Sequence, residues 1–150
     1  MLTAGNTIEI LLTIASEKIK SKLEDRNPVI DSQLVTITGN LSSSTSCAIV
    51  TKLIHYGAIP FLGYFAKESC ASEIQVRALW GLSNLACHDA QSVEQIVRGN
   101  PDVTRTIVLT MNSPSINVAK EAYISVGNLL TTATSADFNA LLENFPELLQ

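Results

Sequence analysis

One hundred and fifty residues, 46% hydrophobic and only 16% charged, are enough to bury a sizeable core and too apolar to remain disordered. The net charge of −4 comes without any run of Lys or Arg. That excludes the basic footprint of a nucleic-acid or anionic-membrane binder and suits a basic partner better.

At the N-terminus no basic stretch precedes the apolar run Ile8 to Ala15, which Glu9 and Thr13 interrupt. The run reads as neither a signal peptide nor a membrane span, and the expected location is the cytoplasm and nucleus. Ile8, Leu11, Leu12, Ala15, Ile19 and Leu23 recur instead at helical spacing, predicting a helix from Asn6 to Asp25. Asn27-Pro28 stops it and starts a second helix that runs to about Leu41. After the polar stretch Ser42 to Ser46, a helix from Cys47 carries Ile49, Val50, Leu53 and Ile54 and is expected to end at Gly57 in a left-handed C-cap. Pro60 opens the next, with Phe61, Leu62 and Phe65 inward.

Ser72 with Gln75 forms an expected capping box at the head of a helix from Ser72 to Ala86. Asp89 caps a short helix ending at Gly99, and Asn100-Pro101 begins one with Val103, Ile107 and Val108 inward. Ser113-Pro114 restarts the pattern with a long helix over about Ser115 to Leu130. Ser135 caps a last one, with Phe138, Leu141 and Leu142 on its apolar side. No stretch alternates in the manner of a strand, so the fold class is all-α. Cys47, Cys70 and Cys87 have neither zinc nor C-x-x-C spacing and are odd in number. They are expected as small buried residues of a reducing compartment.

Asn40, Asn84 and Asn128 each follow a small residue and precede leucine, at an interval of 44 residues. This period falls within the range of helical repeat arrays. It cuts a single domain, residues 1–150, into units 1–41 (partial), 42–85, 86–129 and 130–150 (partial). Each full unit holds a short helix, a second helix and a longer third helix that carries the asparagine. Stacked units place their third helices side by side, so one face of each contributes to a shared groove.

On the third helix of unit 42–85, Glu73, Arg77, Trp80 and Asn84 share one narrow face, opposite Ile74, Ala78, Leu79, Leu82, Leu85 and Ala86. The only tryptophan therefore lies on the polar side, as a contact surface would have it. Superposition by 44 residues completes a ladder: Gln33, Thr36 and Asn40; Arg77, Trp80 and Asn84; Glu121, Ile124 and Asn128. The alternatives are that a neighbouring helix covers Trp80, that Asn40 and Asn128 merely bridge turns within the stack, and that Arg77 and Glu121 are solvated helix charges.

Over Ile74 to Leu85, IQVRALWGLSNL, the W-x-x-x-N pair resembles the armadillo repeats of importin-α, and HYGAIPFL, His55 to Leu62, resembles that family's junction between first and second helices. The resemblance implies an armadillo-repeat right-handed α-solenoid of about three repeats of three helices. It implies that Trp80 forms a slot for the stem of a lysine or arginine while Asn40, Asn84 and Asn128 hydrogen-bond the backbone of an extended, nuclear-localisation-signal-like peptide. Thr36 and Ile124 stand where the family has tryptophan, so the aromatic array is reduced to one rung and a weaker or narrower preference follows. The family's Arg-rich N-terminal segment has no counterpart, which counts against importin-β binding through this chain. The alternative readings are an armadillo scaffold for other protein partners and a structural fragment of a longer solenoid, whose uncapped ends favour self-association.

No Gly-rich phosphate loop, G-x-S-x-G, H-E-x-x-H or metal-ligand spacing is present. His55 and His88 lie near expected helix ends, where histidine is ordinary. No catalytic role, metal or cofactor is expected.

Overall fold

Helix boundaries fall where the local backbone chemistry puts them. The computed structural model describes residues 4–20, 27–67 and 71–149. Over these the chain forms α1 (Ala4–Lys20), α2 (Pro28–Ser42), α3 (Cys47–His55), α4 (Ala58–Phe65), α5 (Ser72–Ala86), α6 (Ala90–Val97), α7 (Pro101–Thr110), α8 (Ile116–Thr132) and α9 (Ser135–Asn144), closed by a 3-10 turn at Pro146–Leu149. No strand occurs among the described residues. Asn27 caps α2 by accepting from the amides of Val29 and Ile30, with Pro28 in the first helical position, which needs no N–H partner. Asp89 caps α6 through Ser92 N at 2.7 Å, and Pro101 opens α7. Gly57 has φ 88°, the only positive φ among the described residues. It turns the chain by 70° between α3 and α4, a conformation that costs glycine little and a side chain more.

Three expected helix starts are corrected. α5 has no capping box: Ala71 is its N-cap and Ser72 is already helical. Gln75 is drawn inward instead, donating Nε2 to the Lys67 and Ala66 carbonyls at 2.7 and 3.4 Å. It thereby satisfies acceptors at the end of α4 that have no intrahelical donor. α9 is capped by Thr134 rather than Ser135, with Thr134 Oγ1 accepting from Asp137 N. α4 begins at Ala58, two residues before Pro60, because the Gly57 turn leads directly into it.

The core is built around α5. Ala78, Leu79, Leu82 and Leu85 have no exposure, and each such leucine contributes roughly 1.5 to 3 kcal/mol of transfer free energy. α2 and α8 flank α5 on either side, making its most extensive contacts, and α4 lies behind it. Phe61, Leu62 and Phe65 of α4 and Val103, Ile107 and Val108 of α7 fill the second layer. α4 and α7 meet at Gly63, where a Cβ would fall 2.5 Å from Val103 Cγ2. On α1, Ile8 and Leu12 are buried. The side chains of Ala15, Ile19 and Leu23, together with Asp25 and Cys70, lie outside the described residues.

Two expectations about the interior fail. Phe138 is exposed, and Asp137 beside it has no exposure, its carboxylate meeting Arg98 Nε at 2.8 Å and Thr134 Oγ1 at 2.5 Å. A buried carboxylate is tolerated here because both its oxygens are partnered. Cys47 and Cys87 are exposed rather than buried, because each sits at a helix end, where it lies off the packed stripe. Among the described residues no single helix is long and apolar enough to cross a membrane.

Candidate functional site

α2, α5 and α8 are equivalent third helices lying side by side, and the ladder residues stand along their shared surface. The two joints are built alike. Asn84 Nδ2 reaches back to Gly39 O at 3.5 Å, and Asn128 Nδ2, one period later, to Ser83 O at 3.2 Å and Ser83 Oγ at 2.8 Å. Ser125 Oγ adds a bond to Leu79 O across the second joint. Each of these asparagines thus donates from Nδ2 to the preceding helix, which offsets the poor fit of Asn to a helix interior. Asn84 keeps a second N–H and its side-chain oxygen, whereas Asn128 Nδ2 already has two acceptors on Ser83 and keeps its oxygen. Asn40 is exposed, and its side chain makes no hydrogen bond among the described residues.

Trp80 is 38% exposed. The Cε3–Cζ3 side of its six-membered ring lies against Gly39, where a Cβ would come within 3.2 Å of Cε3 and 3.3 Å of Cζ3. Part of the indole is therefore covered by α2 and the rest is open. Arg77, one turn before, is not a merely solvated charge. Its Nη1 donates to Ser32 Oγ at 3.0 Å and Thr36 Oγ1 at 2.9 Å on α2. Thr36, where the resemblance would put tryptophan, is occupied by this contact and donates in turn to Ser32 O. On α8, Ile124 is exposed and Glu121 half-buried. An open cleft of about 340 Å³ between α5 and α8 is lined by Glu73 and Arg77 on one side and Lys120 and Glu121 on the other, so its charges balance.

The structure thus brings Trp80, Arg77, Thr36 and Asn84 together around the α2–α5 joint and sets Glu121, Ile124 and Asn128 on the next helix. Asn40 and Gln33 are exposed on α2 and take no part in the two joints. Sequence reasoning missed Ser32, Gly39 and Ser83. The available signal for the last two was size: the small residue before each asparagine is where the next helix approaches. A larger cleft of about 510 Å³, bounded by Lys67, Asp102, Arg105 and Leu109, opens beside α7 and includes no ladder residue. Among the described residues no three potential metal ligands come together.

No protein-family model matches the chain. Among solved structures it is similar to a designed armadillo repeat protein in complex with the peptide (KR)4, with a TM-score of 0.76 and 19% identity over 93% of this chain and 53% of that one. Two engineered proteins from the Northeast Structural Genomics Consortium align with TM-scores of 0.75 and 0.74 at 16% and 18% identity, each over 92% of this chain. They are covered to 52% and 51%, so the chain spans about half the length of these structures. The likeness is one of fold: an all-α solenoid of armadillo-like repeats.

Proposed function

We propose that the chain is a peptide-binding armadillo adaptor of the importin-α kind. It holds an extended basic peptide of the nuclear-localisation-signal type along α2, α5 and α8, in nuclear protein import between cytoplasm and nucleus. Trp80 carries the reading: an indole partly open to solvent and backed by Gly39, one turn from an asparagine with hydrogen-bonding capacity to spare. An indole face attracts a cation and packs the methylenes of its stem. The remaining N–H and oxygen of Asn84 suit one peptide unit, without regard to its side chain. The similar designed protein was solved with (KR)4, which supports a basic ligand for this architecture. By the 44-residue register, Glu121 stands to Trp80 as Arg77 stands to Thr36, so a lysine stem on Trp80 would bring its ammonium to a carboxylate.

A second reading, a scaffold for acidic partners, rests on Arg77, whose guanidinium is held in the groove by Ser32 and Thr36. One titration separates the two. Intrinsic fluorescence of Trp80, with anisotropy of a labelled Lys/Arg-rich peptide, is followed against an acidic peptide of equal length. Trp80→Ala should weaken the basic peptide by about 1 to 2 kcal/mol, and Asn84→Ala by the order of one to two hydrogen bonds, with the helices intact by circular dichroism. Binding of the acidic peptide alone would replace the first reading with the second. An emission that neither peptide alters would remove both.

A further inference from the structure

We infer that two copies of this chain join head to tail, with α2 of one copy seated on α8 of the other. The contact would be the third occurrence of a joint the chain already makes twice. In that joint the residues at register positions 35 and 79, Val35 and Leu79, have no exposure. Tyr123, the same position on α8, is 57% exposed. Gly39 meets Trp80 and Gly81, and Ser83 meets Asn128, but a Cβ on Gly127 would touch nothing within 4 Å. The forward face is thus finished on α2 and α5 and bare on α8.

The rearward face shows the converse. Gly81 and Ser125 are buried against the preceding third helix, whereas Ile37 at their register is 40% exposed, and Ile30, equivalent to the fully buried Val118, is 42% exposed. Asn84 and Asn128 are tied back to Gly39 and Ser83 while Asn40 has no such tie. One end of the chain therefore carries a donor face without an acceptor and the other an acceptor face without a donor. A second copy supplies both, in a register that puts Asn40 Nδ2 against the Gly127 carbonyl. Ile37 is larger than Gly81 or Ser125, so this joint sits wider than the internal ones and dissociates on dilution. Because the two patches differ, the contact is head to tail, and copies added in the register of the internal joints extend the solenoid.

Sedimentation velocity from micromolar to near-millimolar protein tests this. The wild-type chain should show a weight-average mass that rises with concentration beyond a dimer. Gly127→Arg blocks only the α8 face, where there is open space for the side chain, and Ile37→Asp only the α2 face. Neither removes a ladder residue, and circular dichroism checks that both fold. Each variant alone should remain monomeric, and an equimolar mixture should form a dimer that grows no further. A wild-type chain that stays monomeric at the highest concentration, a variant that still associates, or a mixture that fails to restore the dimer would each overturn the proposal.

Discussion

The pairing of Arg98 with Asp137 makes an unequal prediction about two substitutions that remove the same contact. Asp137 has no exposure, and its oxygens are held by Arg98 Nε at 2.8 Å and Thr134 Oγ1 at 2.5 Å. The Arg98 side chain is 49% exposed and keeps a second partner, Glu94, at 3.0 Å. Asp137→Ala therefore leaves a guanidinium that water and Glu94 still satisfy, and the loss is that of one or two hydrogen bonds, about 1 to 2 kcal/mol. Arg98→Ala leaves a carboxylate stranded in the interior, which costs about 3 to 5 kcal/mol, as for other broken buried pairs. The double variant should fall near Asp137→Ala alone, so the coupling equals the cost of Arg98→Ala itself, about 3 to 5 kcal/mol. Urea unfolding measures the totals, and hydrogen exchange should show the losses concentrated in the α9 amides, because the pair joins α6 to α9. An Arg98→Ala variant as stable as Asp137→Ala, or more so, would refute the account of Asp137 as a buried, partner-dependent charge.

Gly63→Ala should destabilise by about 1 to 3 kcal/mol, since the new methyl would lie 2.5 Å from a methyl of branched Val103, which has no flexible end to yield; a thermal midpoint equal to that of the wild type would show that α4 and α7 can separate at no cost. Partial burial pushes the Asp89 carboxyl up, but hydrogen bonds from Ser92 and Gln91 and the neighbouring His88 outweigh it and hold the group below its ordinary 3.8. Its capping contribution is therefore complete above that value and lost as the pH falls through the lower folded one. The stability difference between wild type and Asp89→Ala should shrink over that acid range and stay flat near neutrality. Cys47 and Cys87 are exposed, so both should react with a thiol reagent in the native protein at rates that denaturant raises little; labelling that requires unfolding would contradict their placement.

What the sequence made legible was its punctuation. Asn27-Pro28, Asp89 and Asn100-Pro101 mark helix ends through groups within a few residues, and the 44-residue recurrence of the asparagines fixed which helices are equivalent. The residues misread were those whose partners lie far along the chain. Gln75 looked like half of a capping box because Ser72 is three residues away, but its real acceptors belong to the preceding helix. Asp137 is an ordinary first-turn acid until Arg98, 39 residues earlier, is brought beside it. Arg77 and Asn40 are exposed, while Asn84 and Asn128 are half-buried at the joints. The bonds of Arg77, Asn84 and Asn128 to Ser32, Thr36, Gly39 and Ser83 span 41 to 45 residues, and only the stacking of whole units creates them.

The glycine contact between α2 and α5 has a metrical consequence for any extended ligand. A chain in β conformation advances about 6.6 Å for every two residues, whereas packed helices ordinarily stand about 8 to 10 Å apart. At Gly39 and Gly81 a Cβ on the latter would lie only 3.2 Å from the Cα of the former, so the bare backbones bring these two rungs toward the shorter step. At the next joint Ser83 and Ser125 take the places of those glycines, and each adds a Cβ and a hydroxyl to be accommodated. The groove is thus a ruler with unequal divisions. On the binding mode proposed above, a peptide aligned at Trp80 and Asn84 would lose phase as it lengthens, and phase would limit how many of its residues the surface reads.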